Sequence, residues 1–172
     1  MRLLRKIDRL LSRFLGVSLD DSAFGRIRLV GDNIWRCTQV IPSLGPVTVD
    51  IFADKNGPDD RQRAIFLELR ERLESLRSAM AVALLGEYLS IRADERSQRD
   101  LTVPGATEDF KSDFPEIDRP EDVWNVSKLC RVEVYGSKQV DFVFDHMISW
   151  ADDHQLNVAV KDWRVVEVMK EG

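Results

Sequence analysis

The chain changes its hydrophobic period twice, and that change most narrows what it can fold into. Across residues 59–96 the apolar side chains Phe66, Leu69, Leu73, Leu76, Met80, Leu84 and Tyr88 recur in steps of three or four. That spacing lines one stripe of an α-helix. On both sides of this stretch the period is two, the alternation of a half-buried strand. A sequence reading strands, helix, strands in three blocks points to an α+β fold: one antiparallel sheet, or two, packed against the helical segment.

The helical block has a polar face of opposite charges, Glu68, Arg70, Glu71, Arg72, Glu74 and Arg77, which support one another at helical spacing. Asp59 and Asp60 suit its N-terminus. Unbroken, it would be roughly 57 Å long, against a diameter of about 40 Å for a compact domain of this size. A break is therefore expected, between Ser75 and Ser78 or at Gly86, or else two packed helices.

Three strands are expected before it, over residues 24–30, 34–41 and 47–52, joined by the turn sequences Gly31-Asp32-Asn33 and Pro-Ser-Leu-Gly-Pro at 42–46. Asp20 and Asp21 read as a turn ahead of them. Four strands are expected after it, over residues 130–135, 140–144, 156–161 and 163–169. Between the helix and this second block, residues 97–120 hold Pro104, Gly105 and Pro115 and read as an acidic connecting loop. Arg119-Pro120-Glu121-Asp122 then reads as the start of a short helix reaching about residue 129, with proline in its first turn. At the other end, residues 2–15 place Leu3, Leu4, Ile7, Leu10, Leu11, Phe14 and Leu15 on one stripe and Arg2, Arg5, Lys6, Arg9 and Arg13 off it, an amphipathic helix. The plan is an N-terminal helix over 1–16 and a single α+β domain over 17–172.

The 172 residues suit one domain, and their net charge of −5 repels nucleic acid unless basic residues cluster. The N-terminal helix holds the basic cluster, and no nucleic-acid partner is expected. Of its three possible uses, folding back on the acidic body is favoured over a membrane surface or a partner's groove, because a long apolar stripe is rarely left in water. Cys37 and Cys130 fall in strand segments. They read as buried free thiols of a reducing compartment, or as one disulfide if their strands are neighbours. No apolar run reaches the length of a membrane span, and the N-terminus lacks the pattern of a secretory leader. A cytoplasmic location is expected.

Catalytic signatures are sparse. No phosphate-cradling glycine loop, nucleophile elbow or paired zinc-ligand motif occurs. One cluster offers chemistry: Asp145, His146, Asp152, Asp153 and His154, imidazoles and carboxylates that suit a divalent metal in a metal-assisted hydrolase. The competing reading is a solvated hairpin corner. Trp35, Trp124, Trp150 and Trp163 each begin or end an element, which suits packing at sheet ends; a shared aromatic pocket is the alternative.

The order of features carries a resemblance. Phe24-Gly25 opens a strand, Trp35 sits in the next, Glu87-Tyr88-Leu89 lies near the end of the helical stretch, and Asp122-Val123-Trp124 leads into a strand. Trp150-Ala151-Asp152-Asp153-His154-Gln155-Leu156 then precedes a hairpin ending Val165-Val166-Glu167-Val168. Over residues 22–170 the chain resembles a bacterial domain-of-unknown-function family that carries W-x-x-E-H-G-L before its last hairpin. Asp153 stands where that family often has Glu, and Gln155 where it often has Gly. Related small α+β families include proposed immunity proteins of toxin systems.

That resemblance, the acidic balance and the sparse chemistry imply a non-enzymatic protein-binding module, with an immunity protein as the narrower reading. Asp109, Asp113, Glu116 and Asp118 would then imitate phosphates towards a basic, toxin-like partner. No cofactor is expected. The sequence leaves monomer and homodimer open; the exposed face of the 59–96 helix or a sheet edge would carry any self-association.

Overall fold

The computed structural model describes residues 16–42, 44–148 and 155–171. Among them, eight strands form one sheet in simple sequence order. The strands are β1 (Ser18–Asp21), β2 (Gly25–Gly31), β3 (Ile34–Ile41), β4 (Gly45–Phe52), β5 (Ser127–Val134), β6 (Phe142–Ile148), β7 (Gln155–Lys161) and β8 (Arg164–Glu171). The helical elements are α1 (Asp60–Gln98), α2 (Ala106–Asp113) and the 3₁₀ helix Pro120–Asn125. The fold is α+β, but the expected three-then-four division of the strands is corrected. Four strands precede α1 and four follow it, and residues 2–15 lie outside the described residues.

The additional strand is β1, where Asp20 and Asp21 had read as a turn. Its polar sequence SLDD hides it, yet it pairs with β2 through Ser18–Arg28 and Asp20–Arg26, putting an acid beside a base across the ladder. Asp21 closes the strand by accepting the amides of Ala23 at 2.9 Å and Phe24 at 3.2 Å, and it takes the Arg63 guanidinium at 2.8 Å. Neighbouring strands pair antiparallel except β4 and β5, which run parallel. A parallel pair needs a long crossover, and the helices supply it.

The expected break in α1 is also corrected: 39 residues run as one helix, roughly 58 Å at 1.5 Å per residue. Ser75 and Ser78 turn their hydroxyls back onto the carbonyls of Arg72 and Glu74 instead of interrupting the ladder. Asp59 and Gln62 form a capping box, and the Gln62 amide goes on to donate to Phe52 O at 2.9 Å and Tyr135 O at 3.1 Å. This ties the helix start to the ends of β4 and β5. Gly136 makes room for it: at φ 60°, a Cβ there would lie 2.9 Å from the Gln62 side chain. The spine Phe66, Leu69, Leu73, Leu76, Met80, Leu84, Tyr88 and Ile91 packs into one core with Ile27, Trp35, Val49, Val132, Phe144 and Val158 of the sheet.

A helix this long needs cover along its second half. Residues 97–120 provide it, which is why they are more than the acidic loop expected. They contain α2, and Phe110, Phe114 and Ile117 are buried in the core. Tyr88 donates its hydroxyl to Pro115 O, and Arg92 donates to Phe114 O at 3.1 Å. The short helix expected up to residue 129 ends at Asn125, and β5 begins two residues later.

Candidate functional site

Strand β6 splits the sequence-nominated cluster. Successive strand residues point to opposite faces, so Asp145 and His146, adjacent in sequence, cannot approach one ion from the same side. Asp145 faces away from α1. His146 shares the core face with Phe142 and Phe144 and is fully buried. Asp152, Asp153, His154 and Trp150 lie outside the described residues. Among the described residues, no three His, Cys, Asp or Glu side chains gather as a metal site would require.

On the face away from α1, charged groups form a lattice across β3 to β6. Arg36 grips Asp50 with two bonds, at 2.6 and 2.7 Å. Arg131 sits centrally, bonded to Asp145, 3.6 Å from Asp50 and 3.5 Å from Glu133. Tyr135 donates to Glu133 at 2.7 Å, with its ring stacked on Phe52 at 4.3 Å. Burial pushes the Glu133 carboxyl above its usual range and drives the Tyr135 hydroxyl up in the same sense. Asp50 and Asp145 are buried, and Asn157 stands opposite Asp145 on β7. Each buried carboxylate here has a guanidinium, so the lattice holds strands together rather than offering a reactive group.

The opposite face is organised differently at the end of β5 and β6. Ser127 opens β5, and Leu129 pairs with His146. The 3₁₀ helix sets Trp124 against His146, ring centres 5.5 Å apart. Among the described residues, neither ring nitrogen of His146 has a partner and neither does the Ser127 hydroxyl, although all three atoms are buried. Desolvation lowers the imidazole to a pKa of about 4, so the ring is neutral at physiological pH. On its outer side Trp124 lines a groove of about 610 Å³ between α1 and the 3₁₀ helix. Val82, Ser78 and Ala81 form one wall, and Pro120 and Asn125 help form the other; Glu74, Arg77 and Glu121 bring charge. The Arg77 guanidinium lies over the Trp124 ring at 5.1 Å.

The groove opens beside an unusual part of α1. Ala79, Val82, Gly86, Leu89 and Ala93 are exposed and recur in steps of three and four, on the side of the helix opposite its buried spine. Val82 is 61% exposed and Leu89 45%. Between Arg77 and Arg92 the helix carries one charged residue, Glu87, which bonds Lys170 at 3.0 Å. A solvent-facing helix surface is ordinarily charged, and this one is apolar over more than three turns.

The acidic candidates are arranged less openly than their sequence suggests. Asp109, Asp113, Glu116 and Asp118 are all exposed. Asp113 bonds Arg99 at 2.8 Å and Glu116 faces Arg92 at 3.4 Å, and both arginines also cover the Phe110 ring. Half of the quartet is therefore neutralised, by Arg92 of α1 and by Arg99 at its C-cap. The cysteines are both free, Cys37 on β3 and Cys130 on β5 with β4 between them. Burial pushes the Cys37 thiol up to about 11, which keeps it protonated and inert. The described tryptophans share no pocket: Trp35 donates to Asp54 O at 2.8 Å, while Trp163 lies between Phe142 and Arg72.

Sequence reasoning missed the Trp124–His146–Ser127 grouping and the exposed stripe. The stripe had a signal, the uncharged run Ala79 to Gly86. The grouping had none, because it depends on which strands pair. No helix among the described residues is long and apolar enough to cross a membrane. Comparison with curated proteins found no match, and comparison with solved structures found none. Residues 24–171, nearly the whole described sheet and its helices, match the sequence model of a family described as a domain of unknown function. The chain therefore belongs to the DUF6985 family.

Proposed function

We propose that the protein is a non-enzymatic protein-binding module whose α1 surface receives a helical segment of its partner. The observation that carries this reading is the exposed stripe Ala79, Val82, Gly86, Leu89, which continues through Val82 into the groove floored by Trp124. An amphipathic helix laid in an apolar groove is a recurrent mode of recognition, and it needs anchors at this spacing. Gly86 has open space around it, so a partner backbone can approach closely. The charged rim of Glu74, Arg77 and Glu121 offers both signs for register. A metal-assisted hydrolase is supported less well, because Asp145 is committed to Arg131 on one face and His146 lies on the other. In the narrower immunity reading the partner is a basic toxin. Asp109 and Asp118, the two acids of the quartet without an ion pair given above, would then steer it.

A photo-crosslinking amino acid placed at Val82, with Val30 on β2 (48% exposed against 61%) as the control, tests the reading in cells. The expected result is one discrete adduct from position 82 and none from 30, lost when Leu89 is changed to Asp. An adduct pattern identical at both positions would refute it.

A further inference from the structure

We infer that the partner helix is α1 of a second copy of the chain, so that two chains associate about a two-fold axis with their α1 helices back to back and antiparallel. This rests on the partner-binding reading and names the occupant of the same surface.

The exposed stripe alone selects no occupant; its internal pattern and its ends do. Ala79, Gly86 and Ala93 recur every seven residues, and Val82 and Leu89 recur every seven between them. All five are exposed. A seven-residue repeat is the seam along which two helices interlock. This seam has one line of small residues and one of large. Turned end for end about an axis at the level of Leu84, it fits itself. Val82 falls opposite Gly86 of the second copy and Leu89 opposite Ala79, so every large side chain meets a small one. Placed parallel and in register, the same seam sets Val82 on Val82 and Leu89 on Leu89 and leaves gaps at the small residues. A Cβ built on Gly86 meets nothing within 4 Å, so a second backbone can approach to the short end of helix–helix spacing, about 8 Å.

The ends of the stripe add charge. Glu71 lies about one turn before it and Arg96 about one turn after it. Both are exposed, and neither makes an ion pair among the described residues. They stand about seven whole turns apart, so both lie on the same edge of the stripe. In an antiparallel pair related by a two-fold axis, the same edge of each helix lies on the same side of the interface. Each Glu71 therefore meets Arg96 of the other copy, twice in the dimer. Parallel helices would oppose Glu71 to Glu71 and Arg96 to Arg96. Charge complementarity selects the same orientation as the interlocking of large and small residues. The sheet packs on the opposite side of α1, against its buried spine, so the two sheets stay clear of each other.

Sedimentation equilibrium of the full chain tests the association. Two helices of this length bury less than a standard interface, so a monomer–dimer equilibrium with Kd on the order of 10 μM is expected. Gly86→Glu should weaken it at least about a hundredfold, by placing an unpaired charge in the seam. It should not lower the melting temperature, because glycine is the weaker helix former. Arg96→Glu should weaken the dimer about tenfold, and adding Glu71→Arg to it should restore it. Cysteine pairing reads the orientation, in a Cys130→Ser background that leaves only the buried Cys37. Ala79→Cys protein mixed with Leu89→Cys protein should form a disulfide-linked dimer under mild oxidation, and neither protein alone should. A chain that stays monomeric at about 1 mM would overturn the inference. So would a dimer indifferent to both Gly86→Glu and Arg96→Glu, or cysteine variants that link only to themselves. A Val82 adduct with a different protein, from a chain that is monomeric alone, would remove this inference and leave the partner-binding reading standing. An adduct of twice the chain's mass would support both.

Discussion

The two faces of the sheet treat most of their buried polar groups in opposite ways, with Asn157 Oδ1, opposite Asp145 and buried without a partner, the exception on the ion-paired face. Away from α1, Asp50, Glu133 and Asp145 are held by Arg36, Arg131 and Tyr135. Toward α1, His146 and Ser127 are as deeply buried and have no partners. Asp145 and His146 are consecutive residues of one strand, so neither local sequence nor depth explains the contrast. Which side chains arrive from neighbouring strands does. Arg131 pairs in register with Asp145, whereas His146 receives Leu129 from β5 and Trp124 from the 3₁₀ helix. An ion-paired lattice stabilises a structure, whereas a buried polar group left without a partner costs stability.

Breaking the ion-paired face should have the largest effect. Arg131→Ala removes the one guanidinium that serves Asp50, Glu133 and Asp145 together. Deleting one partner of a buried ion pair costs about 3–5 kcal/mol. Arg131 is partly exposed, so a loss of about 3 kcal/mol by urea denaturation is expected, with Arg131→Met no better. A loss below about 1 kcal/mol would mean that water reaches the lattice and that its charges are not structural.

The unsaturated face should show itself through pH. His146 titrates at about 4 in the folded protein against 6.5 for the free side chain. Above pH 6.5 the ring is neutral folded or unfolded, and the group adds no pH dependence. Between 6.5 and 4 the unfolded chain takes up a proton that the folded protein refuses, so stability falls with pH. The loss accumulates to the order of 3 kcal/mol by pH 4. Asp21 and Asp141, whose hydrogen bonds outweigh burial and hold them low, add their own losses only as pH falls below their ordinary value of 3.8. His146→Phe should therefore flatten the 6.5-to-4 limb alone and raise neutral-pH stability by about 1 kcal/mol, because it replaces an unsatisfied group by an apolar one of similar shape. An unchanged acid limb would show that His146 is not buried in this way.

Much of the core was legible in the sequence, and its failures have physical causes. Every residue named for the spine of α1 is buried, because a helical stripe is a local property. The break expected near Ser75 or Gly86 assumed that a helix longer than the body must stop. It overlooked that Phe110, Phe114 and Ile117 could return to cover the far half. Strand β1 was missed because SLDD has no apolar alternation, and its evidence lies in Arg26 and Arg28 across the ladder. Asp145 and His146, the two described members of the candidate metal cluster, show a different limit. Asp145 and His146 are neighbours in a list, but a strand sends neighbours apart. Trp124 and Ser127 meet His146 only through a pairing of β5 with β6, which no local pattern encodes.

The smallest effect should come from the acidic segment, and it sharpens the comparison by holding charge type fixed while removing burial. Asp113 and Glu116 make ion pairs with Arg99 and Arg92 much as Asp50 does with Arg36, but Asp113 is 49% exposed and Glu116 71%, against 3% for Asp50. In water the Coulomb attraction of such a pair is mostly screened, and the side-chain freedom lost in holding it offsets the remainder. Asp113→Asn and Glu116→Gln should each change stability by less than about 0.5 kcal/mol, and raising the salt concentration should erase even that. Arg99 and Arg92 should lose little by the change, since both still lie over the Phe110 ring at 5.6 and 5.7 Å. Urea midpoints at low and high salt for the two variants, beside Asp50→Asn, measure the difference directly. A loss above about 2 kcal/mol from either exposed variant would mean that this segment is built like the buried lattice. It would then be part of the frame, and unavailable to meet a partner.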